Sequence, residues 1–520
     1  MSYNKKAHLR ANIDAIKLVF ALDKEQRPLS NDERQMLMQY SGFGGLKCVL
    51  NPASSLADVG QWAKSELELF PMVAELHRVL KDNTSSEQEY KDYINSIKNS
   101  VLTAFYTPPS VVQTIADTLK TNGIEVDKLL DPSAGMGEFG KAFNSINPQS
   151  QNMSFEKDLL TGKMLSYIYP DVKVKIEGFE NIESRYNGHF DLISSNIPFG
   201  EMNVFDSSFR RSEDPIHQQS TKAIHNYFFV KGVETLREGG IMAFITSQGV
   251  LNSPSNEPIR QWLMEKTNLV SAIRLPNNLF TEIAGTEVGS DLIILQKNTT
   301  KQGLSESEKQ FVVASIDAEG ITANNTFSNF NNVIFTQSKI GTDPYGKKGY
   351  VFEHEKGTDG IANDMKALLQ KDFSHCLNID LYQKGLDKPI LQPSVGEIEI
   401  KEKASYKALE VNVSAPEVSL YDLFGFTQEE RTQVKPIRKR GQSKPQAKPL
   451  QLDMFASATK PQAKASNPYP IEDARLAEQQ ERLKTERQKS FELRPFAGEL
   501  KEHHKEGSLV EDDGQVGYLK

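Results

Sequence analysis

The chain has 520 residues, of which 38% are hydrophobic and 25% charged, and a formal net charge of -8. That length exceeds one compact core and implies two or three folded units, while the acidic balance excludes a histone-like polycation, so nucleic-acid contacts would have to come from local basic patches. Two cysteines, Cys48 and Cys376, are too few for a disulfide framework or a cysteine zinc site. No histidine cluster has metal-ligand spacing and no apolar run reaches bilayer length, so a soluble, untargeted cytoplasmic protein without metal or membrane is expected.

Residues 1–100 read as a helical N-terminal region, with Ile13, Ile16, Val19, Met36 and Leu37 recurring at helical spacing. Ser41-Gly-Phe-Gly-Gly45 interrupts that pattern and reads as a turn. From 101 to 300 short apolar runs alternate with helical ones, the pattern of a mostly parallel sheet covered by helices on both faces. Seven strands are expected, at 128–130, 153–155, 172–174, 191–193, 241–245, 270–273 and 291–295. The last two lack an obvious long helix between them and read as an antiparallel pair.

Residues 301–404 are expected to form a small α/β or β-rich appendage, with strands at Phe311–Ala314 and Val333–Phe335. Residues 405–520 turn to Lys, Gln, Pro, Ser and Ala with the basic run 435–440, and read as a largely disordered tail interrupted by a charged helix over 471–490.

The strongest local signal is Leu129-Leu-Asp-Pro-Ser-Ala-Gly-Met-Gly137, a strand end followed by an acid, a glycine turn and a helix. Gly135 and Gly137 let a backbone approach a ligand closely at the carboxyl end of the first strand. No Gly-Lys-Ser/Thr follows, so it is not a phosphate loop of the Walker type. Asp131-Pro-Ser-Ala-Gly-Met-Gly137 resembles the D-P-x-x-G-x-G motif of class I S-adenosylmethionine-dependent DNA amino-methyltransferases. Ala104-Phe-Tyr-Thr-Pro-Pro-Ser110 is similar to the F/Y-T-P element of the gamma-order adenine-N6 enzymes, and Ser194-Ser-Asn-Ile-Pro-Phe-Gly200 resembles their N-P-P-Y/F/W motif.

The resemblance implies a seven-stranded Rossmann-like methyltransferase sheet. It implies S-adenosylmethionine held by Tyr106, Thr107, Pro108, Asp131, Pro132, Gly135, Gly137 and Glu156, with Glu156 on the ribose hydroxyls, and Thr107 or Ser110 capping the next helix. It assigns catalysis to Asn196 through its side-chain oxygen, Ile197 through its carbonyl, Pro198, and Phe199 as the stacking face for an adenine flipped from duplex DNA. Ile197 stands where the family's commoner form has proline. With the 41–45 glycines, the set is similar to methylase regions of methylase-helicase proteins of bacterial mobile elements, and to modification subunits of restriction systems.

Arg210, Arg211 and Lys222, in a polar insertion after the catalytic motif, are candidate phosphate contacts. Gln451-Leu-Asp-Met-Phe455, with anchors Gln451, Leu452, Met454 and Phe455, looks like the pentapeptide that docks on the replication sliding clamp. The same acceptor geometry would serve RNA adenine or a protein glutamine, and a catalytically impaired DNA- or clamp-binding module of a mobile element is the reading from another class.

Overall fold

The computed structural model describes residues 4–386 apart from 104, 201, 286 and 343–347, together with strands at 494–495, 509–512 and 515–518. The chain divides into two compact units, Met1–Glu402 and Lys403–Lys520.

The first unit opens with four helices, α1 (Lys5–Glu25), α2 (Asn31–Leu37), α3 (Phe70–Asp82) and α4 (Glu87–Thr103). Their starts follow capping chemistry: the Asn4 side chain accepts from the Lys6 and Ala7 N–H groups, and Ser30 with Glu33 forms a capping box on α2. Next come α5 (Pro109–Thr121), β1 (Lys128–Asp131), α6 (Glu138–Asn144), β2 (Gln151–Phe155), α7 (Leu159–Ile168), β3 (Lys173–Lys175) and β4 (Phe190–Asn196). The chain continues through α8 (Ser207–Arg210), α9 (Pro215–Ser220), α10 (Ile224–Thr235), β5 (Leu236–Ser247), α11 (Gly249–Asn252), α12 (Glu257–Lys266), β6 (Thr267–Leu275), α13 (Thr281–Ala284) and β7 (Ser290–Lys297).

The seven strands form one sheet in the order β3-β2-β1-β4-β5-β7-β6. All neighbours are parallel except β7, which runs antiparallel to both β5 and β6. Successive strand residues point to opposite faces, and the core divides accordingly. Leu129, Leu192, Ala243 and Ile294 pack under α5 and α6, while Leu130, Ile193, Phe244 and Leu295 pack under α10 and α12. Each such side chain, fully removed from water, contributes about 1.5–3 kcal/mol. β5 begins at Leu236, ahead of the expected Ile241, because Leu236 already pairs with Phe190 before an irregularity in the register.

Residues 301–386 hold α14 (Glu306–Val312), β8 (Ala314–Ile316), β9 (Thr322–Asn324), β10 (Gln337–Thr342), β11 (Lys348–Glu353), α15 (Gly357–Cys376) and α16 (Ile379–Leu386). The strands make two small antiparallel hairpin ladders, β8 with β9 and β10 with β11. The segment is not detached from the sheet: Ile361, Met365, Leu369 and Phe373, at helical spacing on α15, enter the same core as α5. Phe311 and Val312, expected in a strand, close α14 instead, since the Ser305–Glu308 capping box starts a helix there. Of the expected strand at 333–335, Val333 makes an isolated bridge to Arg274.

A third core joins the N-terminal helices to the sheet domain. Leu9, Ile16, Phe43, Val73 and Ile97 are clustered with Met136 from the glycine turn and Leu160, Met164 and Ile168 from α7. The 41–45 segment is a buried turn. Gly42 and Gly45 take φ values of 68° and 72°. Asn12, fully buried on α1, clasps the turn by donating to the Gly42 carbonyl at 2.5 Å and accepting from the Ser41 N–H at 3.0 Å. The Phe43 N–H donates to Ser100 Oγ at 3.0 Å.

In the second unit β12 (Arg494–Pro495), β13 (Leu509–Asp512) and β14 (Gln515–Tyr518) form a three-stranded sheet in the order β12-β14-β13. The basic run 435–440, the pentapeptide Gln451–Phe455 and the charged stretch 471–490 lie outside the described residues. Among the described residues, no helix is long and apolar enough to cross a membrane, and no three His, Cys, Asp or Glu side chains are placed to hold a metal ion.

Candidate active site at the carboxyl edge of the sheet

The strand order reverses between β1 and β4: the chain proceeds outward through β2 and β3 on one side and through β5 on the other. Open α/β sheets bind ligands in the crevice outside the carboxyl ends at such a switch point. Asp131 is the last residue of β1, Asn196 is the last of β4, and Glu156 follows β2 directly.

On the β1–β2 side the carboxylates face inward. Asp131 is 1% exposed; its Oδ1 accepts from Ser195 Oγ at 2.7 Å and from the Ser133 N–H at 3.3 Å, while its buried Oδ2 has no partner. Burial pushes its carboxyl up to about 7 against the pull of those two bonds. The Glu156 side chain accepts from the Asp158 N–H at 2.7 Å and from the Gly135 N–H at 2.8 Å. Its carboxyl is pushed up to about 8, by burial first and by the Asp158 charge second.

The glycine turn is shaped for close approach. Gly135 has φ 52°, and a Cβ there would lie 2.7 Å from the Tyr106 ring; at Gly137, with φ 83°, it would lie 2.7 Å from Leu165. Pro132 is buried in the same turn. Thr107 is 4% exposed with a partnerless Oγ1, and the helix it was expected to cap starts instead from Pro108, without a side-chain cap. The proline supplies a fixed φ where a helix needs no N–H.

On the β4 side, Asn196 Nδ2 donates to the Phe105 carbonyl at 2.6 Å, and its buried Oδ1 has no partner among the described residues. The Ile197 N–H is tied to the Ile245 carbonyl at 3.0 Å and its side chain is 1% exposed. Pro198 and Phe199 are half-buried, with the Phe199 ring set edge-on to Phe280 at 6.3 Å between centroids. His225, second residue of α10, is buried beside the Gly200 main chain without closing a hydrogen bond, and burial pushes its imidazole down to about 4.

The structure thus links Tyr106, Gly135, Glu156 and Asn196 along one edge: Phe105 is held by Asn196, Tyr106 lies on Gly135, and Gly135 is bonded to Glu156, while Asp131 is bonded to Ser195, the neighbour of Asn196. Arg210, Arg211 and Lys222 are exposed in the segment that leaves this edge. Sequence reasoning missed Ser195, which holds Asp131, and Asp158, which caps α7 through the Thr161 N–H at 2.8 Å and accepts from Ser96 at 2.6 Å. A serine pair ending an apolar strand and an Asp-x-x-Thr cap pattern were the available signals.

Residues 165–384, which include the Asn196–Phe199 turn, match the model of the N-6 DNA Methylase family. This segment is similar to N-6 DNA methylases. "Defense against restriction protein B" of Escherichia phage P1 is 26% identical over 196 residues, which is 37% of this chain and 8% of that protein. The chain therefore spans under a tenth of that relative's length. Among solved structures, a putative class I S-adenosylmethionine-dependent methyltransferase from Listeria monocytogenes aligns with TM-score 0.35 and 12% identity, over 58% of this chain and 91% of that one. A modification subunit of a putative type I restriction enzyme from Vibrio vulnificus YJ016 aligns with TM-score 0.34 and 16% identity, over 56% of this chain and 68% of that one.

The cofactor is S-adenosylmethionine, and the residues at the β1–β2 edge, which precede the matched segment, fit it. Each Glu156 oxygen retains a second acceptor site for a ribose hydroxyl after its bond to a backbone N–H. The partnerless Asp131 Oδ2 and Thr107 Oγ1 are buried polar atoms suited to a charged amino-acid moiety. The absence of side chains at 135 and 137 lets the ligand lie against the main chain.

Proposed function

We propose that the methylase domain transfers the methyl group of S-adenosylmethionine to the N6 amine of adenine in DNA, on a base turned out of the duplex. Asn196 carries this reading. An exocyclic amine conjugated to a purine is a weak nucleophile, and it gains from an acceptor fixed where its hydrogens must point. The Phe105 carbonyl takes the Asn196 N–H and thereby fixes the amide so that its oxygen, buried and without a partner, is the atom left to accept.

Bound in the cradle, the cofactor supplies an electrophilic methyl group. Asn196 Oδ1 and the Ile197 carbonyl would accept from the two amine hydrogens, orienting the nitrogen lone pair and receiving the charge that develops on the amine. The half-buried Phe199 ring offers a flat face for a base outside its stack. Ile197 occupies this turn without disturbing its anchor on β5, and Pro198 keeps its predecessor extended. Exposed Arg210, Arg211 and Lys222 supply the local positive charge that a DNA backbone requires. The likeness to a phage protein named for defence against restriction favours a mobile-element setting.

The test incubates the purified chain and Asn196→Ala with methyl-labelled cofactor and, in parallel, unmethylated duplex DNA, RNA of the same sequence or a protein extract, then digests each acceptor. Label in N6-methyladenine is expected, reduced at least about 100-fold in the variant with cofactor affinity retained. Label in RNA or in protein glutamine would move the assignment to that acceptor. Cofactor binding with no transfer to any of the three would leave a binding module.

A further inference from the structure

Phe205 stands out because it is 69% exposed and yet held by a rigid frame. On one side, the Val204 N–H donates to the Thr221 carbonyl at 2.8 Å. On the other, Asp206, 4% exposed, accepts from the Ser208 and Phe209 N–H groups at 2.7 and 3.2 Å and from the Tyr227 hydroxyl at 2.8 Å. Lys231 Nζ lies 3.3 Å from the same carboxylate. Tyr227 and Lys231 belong to α10, so the backbone on both sides of Phe205 is anchored to the domain core. A phenyl ring kept in water forgoes the stabilisation of burial, and nothing in this frame requires an aromatic side chain at its apex.

The ring also has a cation on its face: the Arg210 guanidinium is 4.9 Å from the ring centroid. Arg211 and Lys222 are exposed in the same segment, where Glu213 is the one exposed carboxylate among the described residues. Four residues lie between Gly200 and Phe205, five Cα steps that span at most about 18 Å. That is within reach of nucleotides flanking a base seated at Phe199.

We propose that Phe205, backed by Arg210, is a stacking platform for a nucleobase of the DNA strand beside the target adenine, with Arg211 and Lys222 on the adjoining phosphates. A flat aromatic with neighbouring cations matches a strand that presents π-faces and regularly spaced negative charge. The inference rests on the DNA reading above and adds to it a second contact, separate from the atoms that hold the reacting amine.

Fluorescence anisotropy with a short labelled DNA duplex and an RNA of the same sequence tests it. Phe205→Ala should weaken duplex binding about tenfold while Phe205→Trp restores it. Both variants should keep the wild-type cofactor affinity and melting temperature, since the ring is exposed. Arg211→Gln should make the dependence of log Kd on log salt shallower by about one unit. Unchanged duplex binding in Phe205→Ala, with transfer still lost in Asn196→Ala, would overturn the platform and leave the proposed activity standing. A wild-type chain that ignores the duplex, or prefers the RNA, would overturn both.

Discussion

The two ends of the crevice are built on opposite terms. At the β1–β2 end, Glu156 and Asp131 already accept from Asp158, Gly135, Ser195 and Ser133, and the glycine turn they hold is walled by Tyr106 and Leu165. At the β4 end only half of the Asn196 amide is engaged, Phe199 is half-buried, and Phe205 is in water. The cofactor end therefore has its shape before any ligand arrives, although Asp131 Oδ2 and Thr107 Oγ1 still await a partner, whereas at the acceptor end both a hydrogen-bond acceptor and the stacking faces await a substrate. A pre-shaped pocket loses little entropy on binding; a waiting acceptor costs free energy in the free protein, offset by stability elsewhere in the domain.

Removing the carboxylate that organises the cofactor end should break this contrast most severely. Glu156→Ala leaves the Gly135 and Asp158 N–H groups without their acceptor, at about 1–3 kcal/mol each. Calorimetry should show cofactor affinity lowered on the order of 100-fold, beyond what Glu156→Gln costs; equal affinities in wild type and Glu156→Ala would remove the residue from the site.

A smaller change should separate the two ends. Gly135→Ala places a methyl 2.7 Å from the Tyr106 ring on a backbone with φ 52°, at roughly 1–2 kcal/mol for the left-handed conformation alone. Cofactor affinity should fall about tenfold, while DNA affinity without cofactor stays at the wild-type value. Parallel losses in both would mean that the ends are not independently built.

The smallest expected effect is a dependence on pH. Asp131 and Glu156 are raised to about 7 and about 8 in the folded chain, from 3.8 and 4.5. The folded state then binds more protons than the unfolded one, so the free protein should be most stable below about pH 4 with respect to these groups and lose stability as pH rises through 7–8. Asp131→Asn should flatten the melting-temperature profile. A cationic ligand favours the ionised carboxylates, so cofactor affinity should rise over the same window with proton release, visible as a calorimetric heat that depends on the buffer. A buffer-independent heat would contradict the linkage. His225 at the acceptor end, held down to about 4, stays neutral throughout.

Much of the sheet could be read from the chain because its strands are buried on both faces and appear as apolar runs closed by turn residues, as at Asp191–Ile193 and Asp291–Leu295. Asn196 was legible for the same reason: a polar residue directly after such a run sits at a carboxyl end. The contacts that orient it were not, since the Phe105 carbonyl is 91 positions away in the chain and a backbone atom carries no sequence signature. The docking of α15 under β6 is equally non-local, and its amphipathic spacing alone names no partner. Local capping decided Phe311, whose apolar neighbours suit either a strand or a helix, in favour of the helix.

Met136, between the two glycines of the cofactor turn, is buried among side chains of the N-terminal helices. Its neighbours there include Leu160, Met164 and Ile168 of α7, the helix that follows the ribose-side carboxylate. Severed at residue 101, where the composition places a boundary, the sheet domain would keep Asp131, Glu156 and Asn196 but lose Ser96, the partner of Asp158, and the apolar backing of its glycine turn. The first hundred residues are in this sense the missing wall of the sheet domain, and a fragment without them would meet water with an oily scar just behind its cofactor.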